Sequence, residues 1–283
     1  MCCGRDTIVA AVICDDGTVR EDDDRNRPRR SRDELRKILV AAGGSILEEE
    51  GLGVGAGALT FKRVFDHLEG TTGVRLTNAS VIRRIWDNQE DFQTDVLVEI
   101  ASTADSSGEL DRTVESMAPL LTALDLSTPE LRMRALRELA RVGGEVGMRS
   151  RLETRDWSLW VGVWVLALTS PVTGRSAAIR VALDEGLATV ADVWEQLFDG
   201  ICSHLGIRVR SPLTLRQFTS AVSAMAEGSA LRQGGDPELE VVLRPTGPEG
   251  ALEEWTVFAV CMDALALRFF EIDPEWRPAA AAV

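Results

Sequence analysis

The chain has 283 residues, 45% of them hydrophobic, and a formal net charge of −14. That apolar content excludes wholesale disorder and is enough for one large domain or two of moderate size. No apolar run approaches the roughly 18–20 residues that span a bilayer, and five irregularly spaced cysteines fit reduced thiols better than a disulfide framework.

The first 30 residues stand apart from the rest. Thr7–Ile13 is β-branched and apolar, like a short strand, and Asp15-Asp16-Gly17 is a turn signal. The acidic and arginine-rich run that follows is too polar to pack. The expectation is an arm at 1–30 that is disordered or loosely docked, with the strand laid on the body as the alternative. Thr7–Cys14 is also too short for the apolar part of a signal peptide, so the expected location is cytoplasmic.

Ser31 and Glu34 make a capping box, and Leu35, Ile38, Leu39 and Ala42 recur on one helical face. Gly43-Gly44 predicts a bend in that helix. Gly51, Gly53, Gly55 and Gly57 read as a loop; they follow a helix and lack the Gly-Lys-Ser/Thr ending of a phosphate cradle. Phe61, Val64, Phe65 and Leu68 give the next helix one apolar face, which Gly70–Gly73 ends. Thr77 or Asn78 can cap a further short helix whose Ile82, Ile85 and Trp86 face inward. Asp87 with Glu90 then reads as a second capping box, opening a helix with Phe92, Val96, Leu97 and Ile100 inside.

From about Leu110 the patterns are helical, over 110–125, 129–142, 153–169, 175–205, 213–232 and 250–270, with a brief extended stretch at Leu239–Leu243. The class is all-α. The domains expected are the arm at 1–30, a helix-turn-helix domain at 31–106, a helical effector-binding and dimerisation domain at 107–273, and a tail at 274–283.

Two short helices joined by a tight turn allow the second to enter a DNA major groove, which is about 12 Å wide. With its apolar residues turned inward, that helix offers Arg75, Thr77, Asn78, Ser80, Arg83 and Arg84 to DNA, with Arg29 and Arg30 in the arm beside it. Arginine pairs with guanine and asparagine with adenine, while hydroxyls take phosphate oxygens. The acidic total opposes nucleic acid, but its distribution does not: Arg25 to Trp86 holds 12 basic and 7 acidic residues. Charges further apart than about 10 Å are largely screened, so an acidic body can carry a basic face. Solvated helix surface is the plainer reading of Arg83 and Arg84.

Residues 82–92 resemble the TetR family of bacterial regulators, whose third helix and exit commonly read Leu-Tyr-x-x-Phe-x-x-Lys-Glu-x-Leu. Ile82-Arg83 stand at the Leu-Tyr pair, Trp86 at the Phe, and Gln89-Glu90-Asp91-Phe92 at Lys-Glu-x-Leu. Arginine replaces the tyrosine, glutamine the lysine, and Gly73 lies about three residues upstream of the usual place. The resemblance covers roughly 32–100. It implies a homodimer with two recognition helices on a near-palindromic duplex, and repression relieved by an effector.

Two late apolar stripes would suit pairing between copies, through Phe218, Val222 and Met225 and through Trp255, Phe258 and Met262; a role in the chain's own core fits the pattern equally. Trp157, Trp160 and Trp164 share a face of one helix. With Phe198 and His204 they are the candidate lining for an apolar or aromatic effector. No cofactor or metal site is expected, because His67 and His204 are the only histidines and neither has ligands at metal spacing. Hydrolase, zincin and phosphate-loop motifs are absent, so no enzyme is expected. The absent tyrosine and the acidic total leave a second reading open: an all-helical module for a small molecule or protein, whose helix-turn-helix no longer reads DNA.

Overall fold

The computed structural model describes residues 31–52, 59–73, 82–103, 106–172, 174–233, 238–247 and 250–277. They are mostly helical, and their contacts divide the chain into two units: residues 1–103 with 158–185, and 104–157 with 186–283. Residues 158–185 thus group with the amino-terminal part rather than with the 107–273 body expected from sequence.

In the first unit, helix α1 (Arg32–Glu50) begins with the anticipated box: Ser31 Oγ accepts from the Glu34 amide and Glu34 reaches back to the Ser31 amide. The helix runs unbroken through Gly43-Gly44. Packing against helix α3 (Gln89–Ser102) explains the glycine. A Cβ on Gly43 would lie 2.7 Å from Val96 and 3.2 Å from the Phe92 ring, so only glycine lets the two helices approach this closely. Helix α2 (Phe61–Thr72) is capped by Thr60 and stopped by Gly73, whose φ of 68° is left-handed and whose amide donates to Glu69. Helix α3 is capped by Asn88, which accepts from the Asp91 amide, and not by Asp87. Two adjacent Asx residues both satisfy the sequence rule, and the backbone selects the second.

Helices α6 (Arg155–Thr169) and α7 (Gly174–Leu205) each contribute residues to both units. Within the first unit, Arg180 donates to the carbonyls of Ala167 and Ser170, closing the end of α6. Arg175 pairs with Glu90.

The second unit is built on helices α4 (Ser106–Ala123), α5 (Pro129–Glu153), α8 (Leu215–Gln233) and α9 (Val257–Phe269), with the later part of α7. Thr128 caps α5, and Pro129 occupies the first turn, where a missing amide hydrogen costs little. This helix runs to Glu153, eleven residues past the predicted end, continuing through Gly143-Gly144. Again a close approach accounts for it: a Cβ on Gly144 would sit 3.1 Å from the Ala259 Cα on α9.

The class is mostly helical rather than wholly so. Two antiparallel ribbons add to it, β1 (Ile207–Val209) with β4 (Phe270–Ile272) and β2 (Val241–Arg244) with β3 (Glu253–Thr256). The helix predicted over 250–270 therefore begins as β3 and turns helical only at Val257, where Thr256 caps it. Asp263 of α9 is buried and held by Arg244 at 2.9 Å and Arg137 at 3.4 Å, which joins β2 and α5 to the same point.

Candidate functional site

Two places have the makings of a site, one in each unit. In the first unit, residues 82–86 form a turn that ends with the Ile85 and Trp86 amides both donating to the Ile82 carbonyl, at 2.8 and 2.9 Å. Ile82 and Trp86 are buried. The Trp86 ring packs edge-on to Phe92 at 5.0 Å, and Phe61 lies 5.2 Å from Phe92 and 6.2 Å from Trp86. The Trp86 indole N–H donates to Asp95 at 2.6 Å, and the same carboxylate oxygen accepts from Arg36 at 2.9 Å. That hydrogen bond to Asp95 is the main cause raising the Arg36 pKa above its ordinary value.

Three aromatic rings and one shared carboxylate thus fix the turn to α1, α2 and α3. Arg83 and Arg84 lie between the two buried anchors and are exposed, so both guanidinium groups are presented to solvent from a rigid base. Ile85 is only half-buried. The other candidate DNA contacts, Arg29, Arg30, Arg75, Thr77, Asn78 and Ser80, lie outside the described residues.

In the second unit, a cavity of about 70 Å³ lies among α4, α5, α7, α8 and α9. Most of its wall is apolar: Met117, Leu139, Phe198, Phe218, Met262 and Phe270 are among the lining residues. Phe218 is at its aromatic centre, with Phe198 at 5.0 Å and Phe270 at 4.7 Å, both edge-on. The polar part of the wall includes Arg151, which grips Glu109 through two nitrogens, the shortest contact being 2.9 Å, and the hydroxyl residues Thr113, Thr219 and Ser223.

Glu227 on α8 is within electrostatic reach of that ion pair. Burial pushes its carboxyl above the usual range; Arg151 opposes the shift and Glu109 adds to it. Cys202, also in the wall, has its thiol pushed up to about 12 by burial, with Asp199 contributing. It is a packing residue and not a nucleophile.

Of the effector residues expected from sequence, only Phe198 lines this cavity. Trp160 is buried in the first unit and stacks on Trp164, their centroids 5.8 Å apart. Trp157 packs instead in the second unit against a cluster that includes Met148 and Phe258. His204 is exposed, with its Nε2 3.1 Å from the Leu121 carbonyl. The stripe of three tryptophans is therefore packing residues, Trp160 and Trp164 within the first unit and Trp157 within the second, and does not form one wall. Sequence reasoning missed Trp194, Met117, Glu109 and Arg151, because the wall takes a few residues from each of five helices and no single stretch carries its pattern.

The residues expected to pair copies are turned inward. Phe218 and Trp255 are almost completely buried and Phe258 nearly so, while Val222, Met225 and Met262 are half-buried against the same interior. Trp255 belongs to β3 and not to a helix; its N–H donates to Thr246 at 2.7 Å and Arg244 lies over its ring at 4.4 Å. Among the described residues no cluster of His, Cys, Asp and Glu could hold a metal ion, and no helix is long and apolar enough to cross a membrane. No protein-family model and no curated protein matches the chain.

Proposed function

We propose that the chain is a DNA-binding transcription regulator whose activity responds to a small molecule, a repressor that works as a homodimer on a near-palindromic operator. The observation that carries the reading is the turn at 82–86. Buried Ile82 and Trp86 anchor it, and exposed Arg83 and Arg84 stand between them. A helix that reads a groove requires that division between a fixed apolar side and a free basic side. Similarity of residues 82–92 to the TetR pattern supports the same assignment, and the cavity in the second unit supports a ligand-responsive body.

A selection of bound duplexes from random oligonucleotides supplies an operator. On it, binding should weaken steeply as salt rises, since Lys and Arg contacts release counterions from the phosphates. Replacing both Arg83 and Arg84 by alanine should lower affinity by about tenfold or more, given roughly 1–3 kcal/mol for each good base contact. Unchanged binding by the double variant overturns the assignment of the DNA-reading surface.

The second reading is a ligand-binding module that no longer reads DNA. It is favoured by the net charge of −14, and failure of the selection to enrich any sequence decides for it.

A further inference from the structure

The ribbon of β2 and β3 has one open edge. Among the described residues β2 pairs with β3 alone. The Val257 amide donates to the Glu240 carbonyl. Backbone groups alternate along an antiparallel pair, so residues 240, 242 and 244 turn theirs to β3, and Val241 and Leu243 turn theirs outward. Three large apolar side chains stand in a row along this edge, Val241 at 51% exposure, Val242 at 39% and Leu243 at 61%. Such an edge is a template for another strand, and proteins that keep one in water blunt it with charge or proline. Here no charge interrupts 241–243, and Pro245 comes only after the strand has ended.

We propose that β2 is a docking edge for a second copy of this chain, the two strands running antiparallel about a two-fold axis at Val242. This pairing deepens, and rests on, the homodimer reading, because it names where the copies meet. The strand and its flank, Glu240-Val241-Val242-Leu243-Arg244, are complementary to their own reverse. Centred on Val242, the register sets Val241 against Leu243 of the second copy and Val242 against its counterpart, apolar on apolar. Glu240 then faces Arg244 of the second copy at both ends, acid on base. The outward amides and carbonyls of Val241 and Leu243 close the hydrogen bonds between the copies.

Neighbouring registers fit worse. Centring on Val241 sets Val242 against Glu240, and centring on Leu243 sets Val241 against Pro245, which has no amide hydrogen. Arg244 has donors to spare: its Nη1 donates to Asp263 at 2.9 Å, its side chain stays 27% exposed, and a guanidinium carries several further N–H groups. Glu253, opposite Arg244 on β3, accepts from the Thr246 hydroxyl, and Glu240 is exposed. The stripes expected from sequence to join copies are occupied by the chain's own core.

Sedimentation velocity on the full chain without DNA, over a concentration series, tests the proposal. The parent should exchange between monomer and dimer at about micromolar concentration, the weak end for protein interfaces. Val242→Lys sets two ammonium groups directly opposite each other and should raise the dissociation constant about tenfold or more. Leu243→Pro removes an outward amide from each copy while sparing the β3 ladder, and should weaken the dimer by a similar factor. Glu240→Arg, on an exposed side chain, should weaken it less and serves if the proline disturbs folding. Leu168→Lys, at an exposed apolar position of α6 in the first unit, should leave the dimer intact. Hydrogen exchange at Val241 and Leu243 should slow as the protein is concentrated, and Val242→Lys should abolish that slowing.

A monomer at every concentration leaves the edge to a strand from another protein and overturns both the second copy as its occupant and the homodimer. A dimer indifferent to Val242→Lys and to Leu243→Pro, a dimer dissociated by Leu168→Lys alone, or edge amides that exchange equally at all concentrations overturns the edge and leaves the homodimer reading standing. A chain that pairs through β2 but enriches no duplex overturns only the regulator reading.

Discussion

The two aromatic clusters of this protein are packed to different ends. Around Trp86 in the first unit, three rings close on one another, Phe92 is fully buried, and the single polar atom of the indole is satisfied by Asp95. Around Phe218 in the second unit, rings at similar spacing leave a partly open space, with methionines and an ion pair in its wall. Close-packed interiors hold one shape, and a void forfeits contacts that packing would otherwise provide. Aromatic content alone does not separate a scaffold from a receptor; what fills the space between the rings does. The first cluster fixes exposed arginines, and the second keeps room beside charges.

Truncating one anchor in each cluster should give the largest difference between them. Trp86→Ala should cost about 3–5 kcal/mol, since it removes a large buried ring and leaves Phe61 and Phe92 facing a hole. It also strips Asp95 of one donor. Met117→Ala should cost less, about 2 kcal/mol, at the low end for such truncations, because the sulfur borders existing free space and the neighbouring methionines can move in. Urea denaturation followed by far-UV circular dichroism measures both. A larger loss at Met117 than at Trp86 would mean that the second cluster is the rigid one.

Much of the first unit was legible because its signals are local. The Ser31 box, the Gly73 stop and the inward set of Ile82, Trp86, Phe92 and Val96 all depend on residues within a turn or two of one another. What escaped the sequence depends on partners far along the chain. Gly43 reads as a weak point in an isolated helix and Gly144 lies past the predicted helix end at 142, yet each is where another helix comes very close. Strands of three or four residues, such as Ile207–Val209 paired with Phe270–Ile272, carry no readable alternation and exist through their pairing. The apolar stripes on α8 and around Trp255 were correctly seen as apolar, but periodicity cannot tell a face for a second copy from a face for the chain's own core. The cavity was invisible for the same reason. Glu109 and Arg151 are 42 positions apart, and nothing near either announces the other.

The smallest effect we expect concerns Glu227 on α8. Glu227 has its carboxyl raised by burial and by Glu109, against the opposing pull of Arg151. A folded-state pKa above the unfolded one means that the group favours folding while protonated, below its unfolded pKa. That contribution is lost as the pH rises through the folded value. As the pH rises, Glu227 therefore weighs increasingly against the fold. Glu227→Gln keeps the shape and removes that charge. The variant should match the parent protein near pH 4 and become slightly the more stable of the two by pH 7.5, a difference read from melting temperatures across the range. Asp95 in the first unit provides the contrast, because its carboxylate accepts hydrogen bonds from both Arg36 and the Trp86 indole, so Asp95→Asn should lower the melting temperature at pH 7.5. If Glu227→Gln lowers it as well, the charge of Glu227 is already fully compensated within the chain by Arg151.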